Sequence, residues 1–162
     1  MTETLVLDEQ KTRADLTLQL SRTIKAERRR IFEAWIRSEL MSQWFSPEDM
    51  IVTSVSIDFR LGGAYKVEIK EPPAAGQNGD LCRAGGAEGL YTKIVPNELL
   101  SFTWQGVCSQ GEETLVTVAF KDVEDGTEVT ITHEHFATDE TMNSHQQGWQ
   151  GCLANLARFA EK

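Results

Sequence analysis

The chain has 162 residues, with 16 basic and 25 acidic side chains giving a formal charge of −9. This length suits one domain able to bury roughly 70% of its unfolded surface, and 40% hydrophobic with 25% charged residues argues for a folded globule over a disordered chain. The acidic balance argues against nucleic acid and against anionic membrane surfaces as main partners, since both demand clustered positive charge.

Residues 1–12 are polar and aperiodic and read as a tail ahead of a single domain over residues 13–162. The tail carries acids where a secretion signal needs bases, and no stretch approaches the ~20 apolar residues of a membrane helix. Cys82, Cys108 and Cys152 form no CxxC pair and suggest free thiols in a reducing compartment. The expectation is a soluble, cytoplasmic protein.

From Ala14 the apolar residues alternate (Ala14, Leu16, Leu18, Leu20), which predicts a half-buried strand. Two short helices follow. Ile31, Phe32 and Trp35 recur at helical spacing, and Leu40, Met41, Trp44 and Phe45 do so again after Ser38, a residue suited to cap the second helix. The preceding Arg28-Arg29-Arg30 run reads as a solvated helix face.

Six strands come next. Val55, Ile57 and Phe59 alternate, as do Tyr65, Val67 and Ile69 after the turn RLGG at 60–63, a hairpin signal. Residues 71–87, rich in Pro, Gly and Ala, read as one long loop. Strands are expected at Gly89–Val95, Leu99–Gln105, Thr114–Lys121 and Glu128–Phe136, with connections too short for anything but antiparallel neighbours. Thr138, followed by Asp139 and Glu140, opens a helix over 139–160. The order predicts a curved seven-stranded antiparallel sheet closed by the final helix, the only element long enough to cover its inner face.

On that helix Met142, His145, Trp149, Cys152, Leu153, Leu156, Phe159 and Ala160 fall within a sector of roughly 120°. Gly148 and Gly151 interrupt it, each at a cost of about 1 kcal/mol relative to alanine; close approach to the sheet or room for something else would account for them. On the last strand Val129, Ile131, His133 and His135 share one face by parity. All three histidines of the chain are thereby expected inside, where each imidazole needs partners or a water-filled hollow.

Three uses of these histidines stay open: satisfied core groups, polar groups of a ligand pocket, and acid–base catalysis. A metal held by His133, His135, His145 and Cys152 matches no known ligand spacing, so neither metal nor cofactor is expected. No nucleophile elbow or carboxylate pair accompanies the imidazoles. With Trp44, Tyr65, Trp104, Phe120 and Trp149 assigned to inner faces, the candidate ligand-binding set is Trp44, Tyr65, Trp104, Phe120, His133, His135, His145 and Trp149.

Five stretches, RTIKAERRRIFEAWIRSELMSQWF, IDFRLGGAYKVEI, GLYTKIVPNELLSFTW, TLVTVAFKDVEDGTEVTITHEHF and HQQGWQGCLANLARFAEK, resemble the activator-of-heat-shock-protein-90-ATPase homologue family of the START/polyketide-cyclase-like superfamily. The resemblance covers roughly residues 17–161, and the last two stretches are its most specific part. It implies an α+β helix-grip fold with a cavity between sheet and C-terminal helix. It implies three functions to weigh: binding of a small apolar or aromatic molecule, a cyclase- or dehydratase-like reaction using cavity histidines, and contact with a chaperone or other protein partner. The additional N-terminal domain of the eukaryotic co-chaperones has no counterpart among the 12 or so residues before the first strand. Whether the chain forms a homodimer stays open, as does the ligand's identity.

Overall fold

The computed structural model describes residues 16–45, 51–70, 87–106 and 113–161. Its strands are β1 (Leu18–Ile24), β2 (Ile51–Ile57), β3 (Ala64–Lys70), β4 (Ala87–Val95), β5 (Leu99–Gly106), β6 (Thr114–Val123) and β7 (Gly126–Glu134). Helices α1 (Arg28–Ile36) and α2 (Ser38–Met41) lie between β1 and β2, and α3 (Asp139–Ala160) follows β7. All seven strands form one antiparallel sheet in the order β1-β7-β6-β5-β4-β3-β2. Successive strands are neighbours throughout, except that β1 crosses to β7.

Period-two patterning puts Thr114, Val116, Val118 and Phe120 of β6 and Thr127, Val129, Ile131 and His133 of β7 on the buried face. Hydroxyl-bearing pairs occupy the other face: Ser21 with Thr130 at 2.9 Å and Ser101 with Thr117 at 3.0 Å. The first strand is displaced from its expected span. It pairs from Leu18 opposite His133 to Ile24 opposite Thr127, so the length of β7 fixes its ends, while Ala14 lies outside the described residues. Its facing is as expected, with Leu18 and Ile24 buried.

Helix α1 buries Ile31, Phe32, Ala34 and Trp35; Arg29 and Arg30 are exposed, and Arg28 lies 3.4 Å from Asp122. The N-cap of α2 is Arg37, in extended conformation and without a side-chain cap bond, and Ser38 is its first helical residue. The long helix starts where expected: Thr138 Oγ1 accepts from the Thr141 N–H at 3.1 Å. It buries His145, Trp149, Cys152, Leu153, Leu156, Ala157 and Ala160, while Met142 and Phe159 are half-buried. At its far end Glu161 accepts from the Lys25 backbone N–H, tying it to the end of β1.

The fold departs from the expected one in two further places. The final helix does not cover the inner face alone. Phe32 and Trp35 of α1 also pack on it, their ring centroids 5.3 and 6.5 Å from Phe120, because the apolar stripe of α1 needs the same burial. Ala87, read as the end of the loop, is the buried first residue of β4, paired with Val67 and Gly106.

Candidate functional site

The polar centre of the interior is a hydrogen-bonded chain with both inner histidines in it. The Trp149 indole N–H donates to His133 Nδ1 at 3.0 Å, so the proton of neutral His133 sits on Nε2, which faces Thr114 Oγ1 at 2.7 Å. That hydroxyl in turn donates to the Trp104 carbonyl at 2.9 Å. The Trp104 indole N–H donates to His145 Nε2 at 3.1 Å, which leaves the His145 proton on Nδ1, 2.9 Å from the Thr141 carbonyl. Indole can only donate, so each imidazole must offer an unprotonated nitrogen and is held neutral. Burial pushes His133 well below the ordinary imidazole value, and neighbouring His145 adds to this. Burial likewise lowers His145, opposed by its bond to the Thr141 carbonyl.

Rings fill the space around this chain. His133 lies 4.3 Å from Phe136, 4.9 Å from His145 and 5.6 Å from Trp104 by ring centroids. With both nitrogens of each imidazole bonded to protein, neither presents a free lone pair to a substrate.

His135 is not part of this centre. Strand β7 ends at Glu134, His135 takes a left-handed φ of 77°, and its side chain is exposed. Parity fails there because the left-handed residue reverses the chain's facing. Phe136, expected outside, turns in and is 2% exposed. Trp44 lies in the turn after α2 and donates to the Ala34 carbonyl at 3.0 Å. Phe120 is packed between Phe32 and Trp35.

A hollow lies beside the chain, lined by no residue of α3 although Trp149 packs against three of its wall rings, Trp35, Phe45 and Trp104. Trp35, Met41, Phe45, Tyr65, Val67, Tyr91, Phe102 and Trp104 line a cavity of about 10 Å³, close to the room of a single water. Its wall is aromatic and aliphatic throughout, with rings meeting mostly edge to face: Tyr65 with Phe102 at 5.2 Å and 76°, Tyr91 with Phe102 at 6.0 Å and 75°. Of the expected site residues, Tyr65 and Trp104 reach this hollow. The Trp104 ring borders both this hollow and the histidines. Tyr65 is anchored by its hydroxyl, which donates to the Thr103 carbonyl at 2.6 Å; burial raises the phenol well above its usual value.

The other wall residues, Trp35, Met41, Phe45, Val67, Tyr91 and Phe102, escaped sequence reasoning. One signal was present: Phe102 and Trp104 stand two apart on one strand, hence on one face. Among the described residues, one buried side-chain nitrogen or oxygen has no hydrogen-bond partner, and it is Trp35 Nε1. Cys152, buried and free, has its thiol raised far above the usual value by burial.

A curled antiparallel sheet around a long C-terminal helix, with short helices after the first strand, defines the helix-grip class. A family model described as Activator of Hsp90 ATPase homolog 1-like protein matches residues 25–161, and the chain belongs to that family. Protein CV1439 from Chromobacterium violaceum is 26% identical, with a TM-score of 0.75 over 90% of this chain and 98% of that one. An AHSA1-like protein from Aeromonas hydrophila is 23% identical, with a TM-score of 0.72 over 90% and 92%. CalU16 from Micromonospora echinospora is similar in fold at 16% identity, with a TM-score of 0.66 over 89% and 75%. Among curated proteins none matches.

Proposed function

We propose that this protein binds a small apolar or aromatic molecule in the hollow between β3–β5 and the helix pair α1–α2. The observation that carries the reading is the wall itself: eight large apolar side chains from six segments converge on one point without filling it. Pockets for small molecules are mostly apolar in just this way. The space beside Trp149, where a ligand was expected, is occupied by the histidine–indole chain, which favours the hollow lined by Tyr65 and Trp104 as the site.

A molecule of one or two rings needs far more than 10 Å³, so the wall must yield. Met41 and Phe45 are the residues to move. They sit on and just after a four-residue helix whose backbone bonds reach no more than four positions away, and apart from the packing of the Phe45 ring on Trp35, Trp104 and Trp149 so short a helix has little stability of its own. Methionine also adapts its shape at low cost. Binding without catalysis fits the neutral, fully bonded imidazoles, which offer no acid or base to a bound molecule.

The test is thermal unfolding with a panel of one- and two-ring aromatic compounds. A ligand at about 100 times its Kd stabilises by about 2.7 kcal/mol, which raises Tm by about 5–10 °C for a domain of this size. A panel in which no member shifts Tm would overturn the reading.

A further inference from the structure

We infer that the molecule taken by this hollow carries a hydrogen-bond acceptor, a carbonyl or comparable oxygen, that is met by the Trp35 indole N–H; this rests on the binding reading above and narrows its ligand class. The observation is independent of the wall's apolarity. Trp35 is 1% exposed, lines the hollow, and carries the one unpartnered buried side-chain donor among the described residues. The other three indoles make the contrast. Trp44 donates to the Ala34 carbonyl, Trp104 to His145 and Trp149 to His133, so this fold supplies acceptors to buried indoles as a rule. Buried donors in folded proteins are nearly always satisfied, and an exception asks for a cause.

In the closed state no protein group accepts from this donor. A hydrogen bond that forms only when the hollow is occupied is a differential interaction between the two states, and only such an interaction can draw the wall open. A hydrocarbon of the same shape leaves the donor unmet in both states. An oxygen in place of a methylene gains the bond and recovers what it loses on leaving water.

The experiment compares acetylnaphthalene with its alkene isostere isopropenylnaphthalene, by titration against the full-length protein and its Trp35→Phe variant. The ratio of their affinities should fall by about tenfold in the variant, the equivalent of about 1.4 kcal/mol for one neutral hydrogen bond. In the unmodified protein the Trp35 indole N–H resonance should move downfield with the ketone and stay in place with the alkene, a readout that does not require the variant to fold. An unchanged affinity ratio, or an indole resonance indifferent to the ketone (as when the N–H rests on a neighbouring ring face), overturns this inference and leaves the binding reading standing. Failure of both compounds to bind overturns the two together.

Discussion

Acidification should destabilise this protein through its two inner histidines. Both are neutral in the fold and held below their ordinary value chiefly by burial, whereas in the unfolded chain each titrates near about 6.5. Below about pH 6.5 the unfolded chain therefore binds more protons, and stability falls as pH falls; above it the contribution is fully present. A histidine that stays neutral in the fold loses about 2 kcal/mol of stability between about pH 7.5 and pH 5, so the pair loses up to about 4 kcal/mol. That is a large share of the ~5–15 kcal/mol of a whole domain. Urea unfolding followed by far-UV circular dichroism across this range measures it. His145→Gln keeps an acceptor for the Trp104 N–H and removes one titration, so its stability should fall less between about pH 7.5 and pH 5, by up to about 2 kcal/mol. Equal slopes in the two proteins would refute the reasoning, as would an unmodified protein whose stability is flat from neutral pH to pH 5.

Four substitutions probe other links. A Cβ on Gly89 would lie 2.0 Å from the Thr103 carbonyl oxygen, the same oxygen that accepts from Tyr65, so Gly89→Ala should cost about 3 kcal/mol in denaturant unfolding; a loss under about 0.5 kcal/mol would mean the strands part freely there. His135→Gly should raise stability by about 0.5–1 kcal/mol by relieving the left-handed conformation, and a loss of stability would show instead that the exposed imidazole is engaged. Met41→Ala should lower stability by about 2–4 kcal/mol yet tighten binding of two-ring aromatics, because less of the wall must move. Leu156→Ala, on the far helix, should lower stability without changing affinity, and equal affinity changes in both variants would contradict the assigned location.

Period-two alternation made the sheet legible, because a strand with one wet face must write its facing into every second residue, and β6 does so from Thr114 to Lys121 and β7 along its whole length. The long helix was equally plain: its cap, acidic first turn and apolar stripe agree. The first strand was misplaced because Arg22 interrupts the alternation while pairing with β7 carries the strand on to Ile24. His135 was misfaced because parity holds only while the strand continues, and nothing in a histidine announces a positive φ. The hollow was not legible at all. Which aromatic rings leave a gap depends on side-chain volumes and strand curvature, and Trp35 looked like any core residue of α1 until the acceptors around its indole were counted.

The central claim is that the aromatic hollow opens to admit a ring. Intermolecular nuclear Overhauser effects from bound acetylnaphthalene test it most directly. The account predicts contacts to the ring protons of Tyr91, Phe102 and Trp104 and to the Met41 methyl. Contacts confined to surface residues, or to Leu153 and Leu156 against α3, would contradict it.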